Sequence, residues 1–398
     1  MAERAYWLAW AQAKGLGPVL IKRLRSYFGT LATAWQADGA ELLAVEGIGL
    51  GLGSSLVAYR QQVSPLEHLA SYEQQHPNFW TPADAEYPPL LYEIADPPPL
   101  LYYRGRTELA SALQMLPAVG VVGTRNPSDY GQRWTRRLTQ QLAAHDVVVV
   151  SGLAKGIDRH AHHQVLEAGG LTIAVLGTGV DRVYPQMNQA LQEAIARQGL
   201  LLSEHPNGTP PDRGHFPRRN RIIAGLSRAV VVTEAPARSG ALITAQLAND
   251  YGRDVFALPG SLDNPSSAGC LELINQGAQM ILHDLTLVAA LGQMPQIGGE
   301  GLKSVGPGKL AGPENHGVRP EPARPEPADA LPPRPSAAPP SLAPHLAQVL
   351  AVVPPEPITL DVLVQQTEQP TGEVLATLVQ LELMGLVAQL PGMRYQRC

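Results

Sequence analysis

From Pro117 onward the chain alternates short apolar runs with helical stretches, and this alternation restricts the fold more than any other feature of the sequence. The runs are Ala118–Val122, Val147–Val150, Thr172–Leu176, Leu200–Ser203, Ala229–Thr233, Val255–Leu258 and Met280–Leu282. Helical stretches separate most of them: Tyr130–Ala144, Ile157–Ala168, Asn188–Arg197, Leu242–Tyr251 and Cys270–Gln276. A strand that is apolar along its whole length is covered on both faces, and strands joined by crossover helices run parallel. The expectation is a Rossmann-like, doubly wound, mostly parallel α/β sheet over residues 77–291, with ligands at the carboxyl ends of its strands.

Other blocks flank this core. Residues 1–76 are helical, and the turns Gly15-Leu16-Gly17 and Gly47-Ile48-Gly49 each lead into an amphipathic stretch, as in a helix-hairpin-helix (SAM-like) domain. Such turns either offer the next helix's free N–H groups to a phosphate, beside Lys14, Lys22, Arg23 and Arg25, or simply close a small bundle. Residues 77–116, rich in proline and tyrosine, read as an extended entry segment. Residues 292–341 hold 12 prolines and no Phe, Trp or Tyr, so they read as a flexible linker. Residues 342–398 read as a winged helix: three helices, then a two-stranded wing over Leu386–Arg397 that turns at Pro391-Gly392.

A net charge of -5 over 398 residues argues against coating nucleic acid by bulk charge, so any such partner must meet a local patch. The cysteines, Cys270 and Cys398, support neither a disulfide framework nor a metal site, which fits a reducing cytoplasm. No apolar run approaches the roughly 20 residues that span a bilayer. A soluble cytoplasmic protein without membrane contact, metal or cofactor is expected.

The strand ends carry the chemistry. Gly123-Thr124-Arg125 follows the first strand, with Ser128 placed to cap a helix, and Ser151-Gly152-Leu153-Ala154-Lys155-Gly156 follows the second. Gly177-Thr178-Gly179 follows the third, and Ser239-Gly240 with Thr244 follows the fifth. Gly123, Thr124, Ser151, Gly152, Gly156, Gly177, Ser239, Gly240 and Thr244 thus put small residues and helix N-termini on one rim, a pattern that binds anions. The first turn fails G-x-G-x-x-G, and SGLAKGID lacks the G-K-[ST] of a P-loop, so a tightly held dinucleotide is not expected.

The first half of the stretch Arg213–Ala235 adds Arg213, Arg218, Arg219, Arg221 and Arg228 with no acidic residue among them, and sets Phe216 inside the basic run. Guanidinium groups and an exposed ring suit single-stranded nucleic acid; burial is the other reading of Phe216. Lys155 and Arg125 share the rim. Asn220 donates to a phosphate or base edge, or closes a turn. Asp158 steadies the backbone. Glu234 is either a general base or the partner of an adjacent arginine.

The segments VVGTRNPSDYG, VVSGLAKGIDRHAH, TIAVLGTGVDRVYP, LLSEHPNGTPPDRGHFPRRNRIIAGLS, VVVTEAPARSGALITAQLA and GRDVFALPG resemble, in order and spacing over about residues 85–285, the DNA-processing protein A (DprA/Smf) family of bacteria. The resemblance implies a non-enzymatic, dimeric Rossmann-like protein. Its function would be to bind and protect incoming single-stranded DNA and help load the RecA recombinase during natural transformation. It also implies DNA contacts at Arg125, Arg213 and Phe216, matching positions at Lys155 and Arg221, and a homodimer through residues 255–285. The alternative is a nucleotide-binding hydrolase of the nucleoside-monophosphate phosphoribohydrolase type. Those enzymes carry P-G-G-x-G-T where this chain has Pro236-Ala237-Arg238-Ser239-Gly240. One departure concerns the winged helix: its would-be recognition helix, Thr371–Met384, has no Lys or Arg. A groove-binding helix needs cations for the flanking phosphates, so contact with protein or with the neighbouring domain is expected instead of duplex DNA.

Overall fold

All seven apolar runs become strands of one nine-stranded sheet, ordered β1-β2-β6-β5-β4-β3-β7-β8-β9. The strands are β1 (Phe79–Trp80), β2 (Leu101–Gly105), β3 (Ala118–Val122), β4 (Val148–Ser151), β5 (Thr172–Leu176), β6 (Leu200–Ser203), β7 (Ala229–Val232), β8 (Asp254–Ala257) and β9 (Gln279–Met280). In this computed structural model the described residues are 2–113, 115–292, 344–354, 358–367, 369–384, 386–390 and 394–397. They fall into two compact units, Met1–Val305 and Gly306–Cys398.

From β6 to β9 across the sheet, every neighbouring pair is parallel; Val119 of β3, for example, lies opposite Val149 on one side and Ala229 on the other. Every residue of β3 to β7 is buried, which is why these strands read as unbroken apolar runs. Alternate residues serve opposite layers. Val148 and Val150 pack with Ile222 and Ile223 of the helix His215–Leu226. Val147 and Val149 pack with Leu138 and Leu142 of the helix Asp129–Ala144 and with Ala161 and Val165 of the helix Ile157–Glu167. The chain steps outward from β3 through β4 and β5 to β6, then returns to the far side of β3 as β7. The switch point therefore lies between β3 and β7, and there the crossover loops diverge.

The entry segment is more than extended chain. Its residues supply β1 and β2, and β2 runs antiparallel to β6 with Tyr102 opposite Ser203. The prolines end before β2 begins, so none removes a ladder donor. Gly105 closes the strand at φ +127, where an added Cβ would lie 2.6 Å from the Gly199 carbonyl oxygen. The N-terminal helices cover this antiparallel edge: Ala5, Leu8 and Leu69 pack with Phe79 and Tyr102. Their own core holds Trp7 and Trp10. The turns read from sequence are present as a pair, with Gly15 at φ +86 and Gly47 at φ +92, and Gly17 and Gly49 begin the helices Pro18–Phe28 and Leu50–Arg60.

The second unit packs the helices Pro344–Val352, Leu360–Thr367 and Thr371–Leu383 around Val349, Leu363, Val374, Leu378 and Tyr395. Its strands β10 (Ile358–Thr359), β11 (Val387–Leu390) and β12 (Arg394–Arg397) are ordered β10-β12-β11, so the wing has one strand more than expected. The linker expected over residues 292–341 lies outside the described residues after 292, as do Pro391, Gly392 and Cys398.

Candidate nucleic-acid interface

At the switch point the turns after β3 and β7 part and leave a cleft of about 610 Å³. Gly123, Thr124 and Arg125 form one wall, and Arg238, Ser239, Gly240 and Thr244 form another. The first turns of the helix His215–Leu226 supply the third wall, which contains Phe216, Arg219 and Asn220; Arg213 stands just before it. Pro217 sits in the first turn of that helix, where a missing N–H breaks no intrahelical bond. A smaller hollow of about 200 Å³ lies beside the cleft and is lined by Gly152, Lys155, Tyr184 and Phe216.

Glu234 sets the position of the β3 turn. Its carboxylate is buried and accepts from the Ser128 amide (2.7 Å) and the Ser128 hydroxyl (2.6 Å), while its carbonyl accepts from the Thr124 amide (2.7 Å). Ser128 in turn caps the helix Asp129–Ala144 by accepting from the Gly131 amide. The partner of Glu234 is thus a serine, not the adjacent arginine expected, and the carboxylate lies buried behind the turn and is not among the residues that line the cleft. Gly131 has no room for a Cβ against that carboxylate.

Arg219 is a buried tie. Its guanidinium donates to the carbonyls of Gly152 (2.6 Å) and Val175, fixing the β4 turn to β5. Burial brings its pKa down to about 10, against the opposing pull of the Asp158 charge. Asp158 is buried behind it and accepts from the Gly152 (3.2 Å) and Ala154 (3.3 Å) amides. Burial raises its pKa, while Arg219 and those amides oppose the rise. Asp158 therefore steadies the backbone, as expected.

These ties reassign several rim residues. The Gly152 amide is taken by Asp158, and the Ser151 hydroxyl donates to the Val121 carbonyl (2.6 Å). Gly156, at φ +92, lies flush against the Thr124 and Arg125 backbone. Gly177 lies beneath Phe216, where a Cβ would be 2.9 Å from the ring. These four residues are buried and shape the rim from below. Arg221 also departs from its expected role. It is buried and ion-paired to Glu204 (2.5 Å) and Asp96 (3.3 Å), and donates to the Asp96 carbonyl (2.6 Å).

Other residues do meet at the cleft. Arg125, Arg213 and Arg238 line it, are exposed, and have no ion-pair partner among the described residues. Arg125 stands 6.0 Å from the centre of the Phe216 ring. That ring is half-buried, with Tyr184 5.2 Å away at a tilt of 32°. Lys155 is exposed and donates to the Asn126 side chain (2.8 Å), joining the turns after β3 and β4. Asn220 donates to the Gly240 carbonyl (3.3 Å) and accepts from Arg219. Ser239 caps the helix Gly240–Asp250, so that helix opens onto the cleft. Arg218 is exposed but stands outside both hollows. Sequence reasoning missed Tyr184 and Arg238 as site residues; the signal for Arg238 is a lone cation in the turn that replaces P-G-G-x-G-T.

The N-terminal cations are largely spent on structure. Lys22 donates to the carbonyls of Tyr92 (3.0 Å), Glu93 (3.1 Å) and Ile94 (2.7 Å), and burial lowers its pKa. Arg23 holds the Glu46 carbonyl, and Arg25 lies 3.9 Å from Glu3. Of the two readings of the glycine turns, the geometry favours a small bundle.

A doubly wound sheet with unpaired cations and an aromatic pair at its switch point defines a polyanion-binding α/β protein. The chain belongs to the DNA recombination-mediator protein A family: that family's model matches residues 78–292, and the DprA winged helix domain matches residues 332–393. Protein Smf of Synechocystis sp. is 48% identical over 398 residues, spanning 100% of this chain and 99% of that protein. DNA processing protein DprA of Streptococcus pneumoniae is 48% identical over 214 residues, 54% of this chain and 74% of that protein. The X-ray structure of DNA processing protein A from Streptococcus pneumoniae superposes with a TM-score of 0.62 at 38% identity, covering 72% of this chain and 97% of that one. These matches do not favour the phosphoribohydrolase alternative.

Proposed function

We propose that this chain binds single-stranded DNA across the β3/β7 cleft. As a recombination mediator it would protect incoming strands and help load RecA onto them during natural transformation. The observation that carries the reading is the set of unpaired guanidinium groups of Arg125, Arg213 and Arg238 around the Phe216–Tyr184 pair. Guanidinium groups hold phosphates in any sequence, whereas a ring face takes only a base that is free of its pairing partner. Lys155 and the N-terminus of the helix Gly240–Asp250 extend the anion-binding track along the rim. The reading is of binding without covalent chemistry, because Glu234 is buried, holds Ser128 and does not line the cleft.

The test is a titration of single-stranded and double-stranded oligonucleotide at two salt concentrations. Four phosphate contacts, at Arg125, Lys155, Arg213 and Arg238, give a slope of log K against log salt of about −3 for a single strand. Arg125→Ala and Arg213→Ala should each reduce the slope by about 0.7 and lower affinity for all sequences alike, by roughly tenfold. Unchanged affinity in both variants would remove the cleft from the account. The duplex arm tests the winged helix as well. Its third helix carries Glu373 and Glu382 and no cation, and we assign it to protein or neighbouring-domain contact; tight duplex binding that survives the cleft variants would reverse that assignment.

We further infer a homodimer through residues 255–285. Leu262, Met280, Leu282 and Leu285 are exposed there, and β9 is the edge of the sheet. Sedimentation should show a dimer that Leu282→Lys converts to monomer. A wild-type chain that stays monomeric at micromolar concentration would refute it. No helix among the described residues is long and apolar enough to cross a membrane.

A further inference from the structure

We propose that the strand leaving the cleft continues down the outer face of the helices Asp129–Ala144 and Ile157–Glu167, where Arg133, Arg136 and Arg159 hold its phosphates. The inference rests on the cleft reading and extends it to a second contact surface. Both helices follow strands of the parallel sheet, so both begin at the rim and run away from it. Lys155, in the turn before the second helix, bonds Asn126 in the turn before the first, so the rim is continuous with both helix starts. Residues 129, 132, 133, 136 and 140 are spaced by three and four and share one face of the first helix. There they line a groove of about 500 Å³ that extends roughly 16 Å from the rim.

The charge in and beside this groove is one-sided. Arg137 is taken by Asp284 (2.7 Å), and His163 is taken by Glu167 (3.2 Å). Asp129, at the top, is the one carboxylate among the groove-lining residues. Arg133 and Arg136 are exposed, Arg159 is half-buried, and none of the three has an ion-pair partner among the described residues. Arg136 bridges the helices through the Nδ1 of His160 (3.3 Å). Burial first, then the charges of Arg136 and Arg159, lower the His160 pKa, so the ring is neutral near pH 7 and accepts from Arg136. Among the described residues the guanidinium groups of Arg133, Arg136 and Arg159 thus face a single groove carboxylate, Asp129, and leave a net positive surface. A phosphate backbone supplies the balancing charge, and continuity with the rim selects the strand already held in the cleft.

The experiment compares two oligonucleotides, one of roughly 6 nucleotides, near the low end of single-strand site sizes, and one of roughly 20. The triple variant Arg133→Ala, Arg136→Ala, Arg159→Ala should bind the short strand as the parent does. It should bind the long strand at least about tenfold more weakly, with the salt slope for that strand reduced by about 2. Unchanged long-strand affinity, the result expected if the patch serves an acidic protein instead, overturns the proposal. So does an equal loss for both lengths, which would place the arginines in the cleft or in folding; thermal unfolding of the variant separates those two. Arg125→Ala should weaken both lengths. If it weakens neither while the triple variant behaves as expected, the cleft reading fails and the outer face stands.

Discussion

Replacing Arg219 by alanine is expected to destabilise the protein by about 3–5 kcal/mol, because it removes a buried cation that donates to two carbonyls and leaves the buried Asp158 charge without its compensation. The guanidinium holds the carbonyls of Gly152 and Val175 and is the cation that faces buried Asp158. Without it those carbonyls lose a donor and the carboxylate loses its compensating charge. Urea unfolding of the full chain measures the loss, and its pH dependence identifies the cause. The Asp158 pKa is already raised in the folded state by burial, so folding stability falls as pH rises from the unfolded value of about 4 toward the folded one. Removing the arginine charge raises the folded pKa further and widens that window upward. The deficit of Arg219→Ala should therefore be smaller near pH 4 than at pH 7, and adding Asp158→Asn should recover part of it at pH 7. A deficit independent of pH, or no recovery in the double variant, would mean that packing and not the Asp158 charge sets the loss.

Arg219 also shows where sequence reading stopped. The strands were legible because a parallel sheet covered on both faces demands unbroken apolar runs, and β3 to β7 are buried throughout. The basic stretch was legible as a cluster of charge but not as a helix. Within His215–Leu226 the buried residues Arg219, Ile222, Ile223 and Leu226 follow one another at helical spacing, so Arg219 occupies the apolar stripe. That stripe could have been seen once Pro217 was placed in a first turn, where it does not break a helix. Phe216 and Asn220 share a neighbouring face and reach the cleft. The fate of Arg221 was not legible at all. Its partner Asp96 is 125 residues away in the entry segment, and only the antiparallel addition of β2 to the sheet brings that segment alongside β6 and Glu204. Local spacing records which residues share a helix face; it does not record which distant loop supplies a counter-charge.

Glu234 gives the last and sharpest separation of the two functional classes. If its task is to hold the β3 turn, Glu234→Ala should destabilise the fold by about 2–4 kcal/mol, since it strands the Ser128 amide and hydroxyl and opens a void beside Gly131. The same change should weaken single-strand binding by roughly tenfold, because Arg125 rides on the turn that Ser128 anchors and a displaced cation loses its contact. Glu234→Gln keeps the shape and one carbonyl acceptor, and the serine hydroxyl can rotate to accept from the new amide. It should therefore lose about 1 kcal/mol and bind DNA almost as the parent does. A general base behaves in the opposite way: the glutamine variant would fold and bind normally yet lose all turnover. Free base released from a nucleoside monophosphate by the parent, and not by Glu234→Gln, would restore the hydrolase. Graded losses of stability and strand affinity in the order alanine, glutamine, parent, with no base released by any of them, assign the carboxylate to holding the turn.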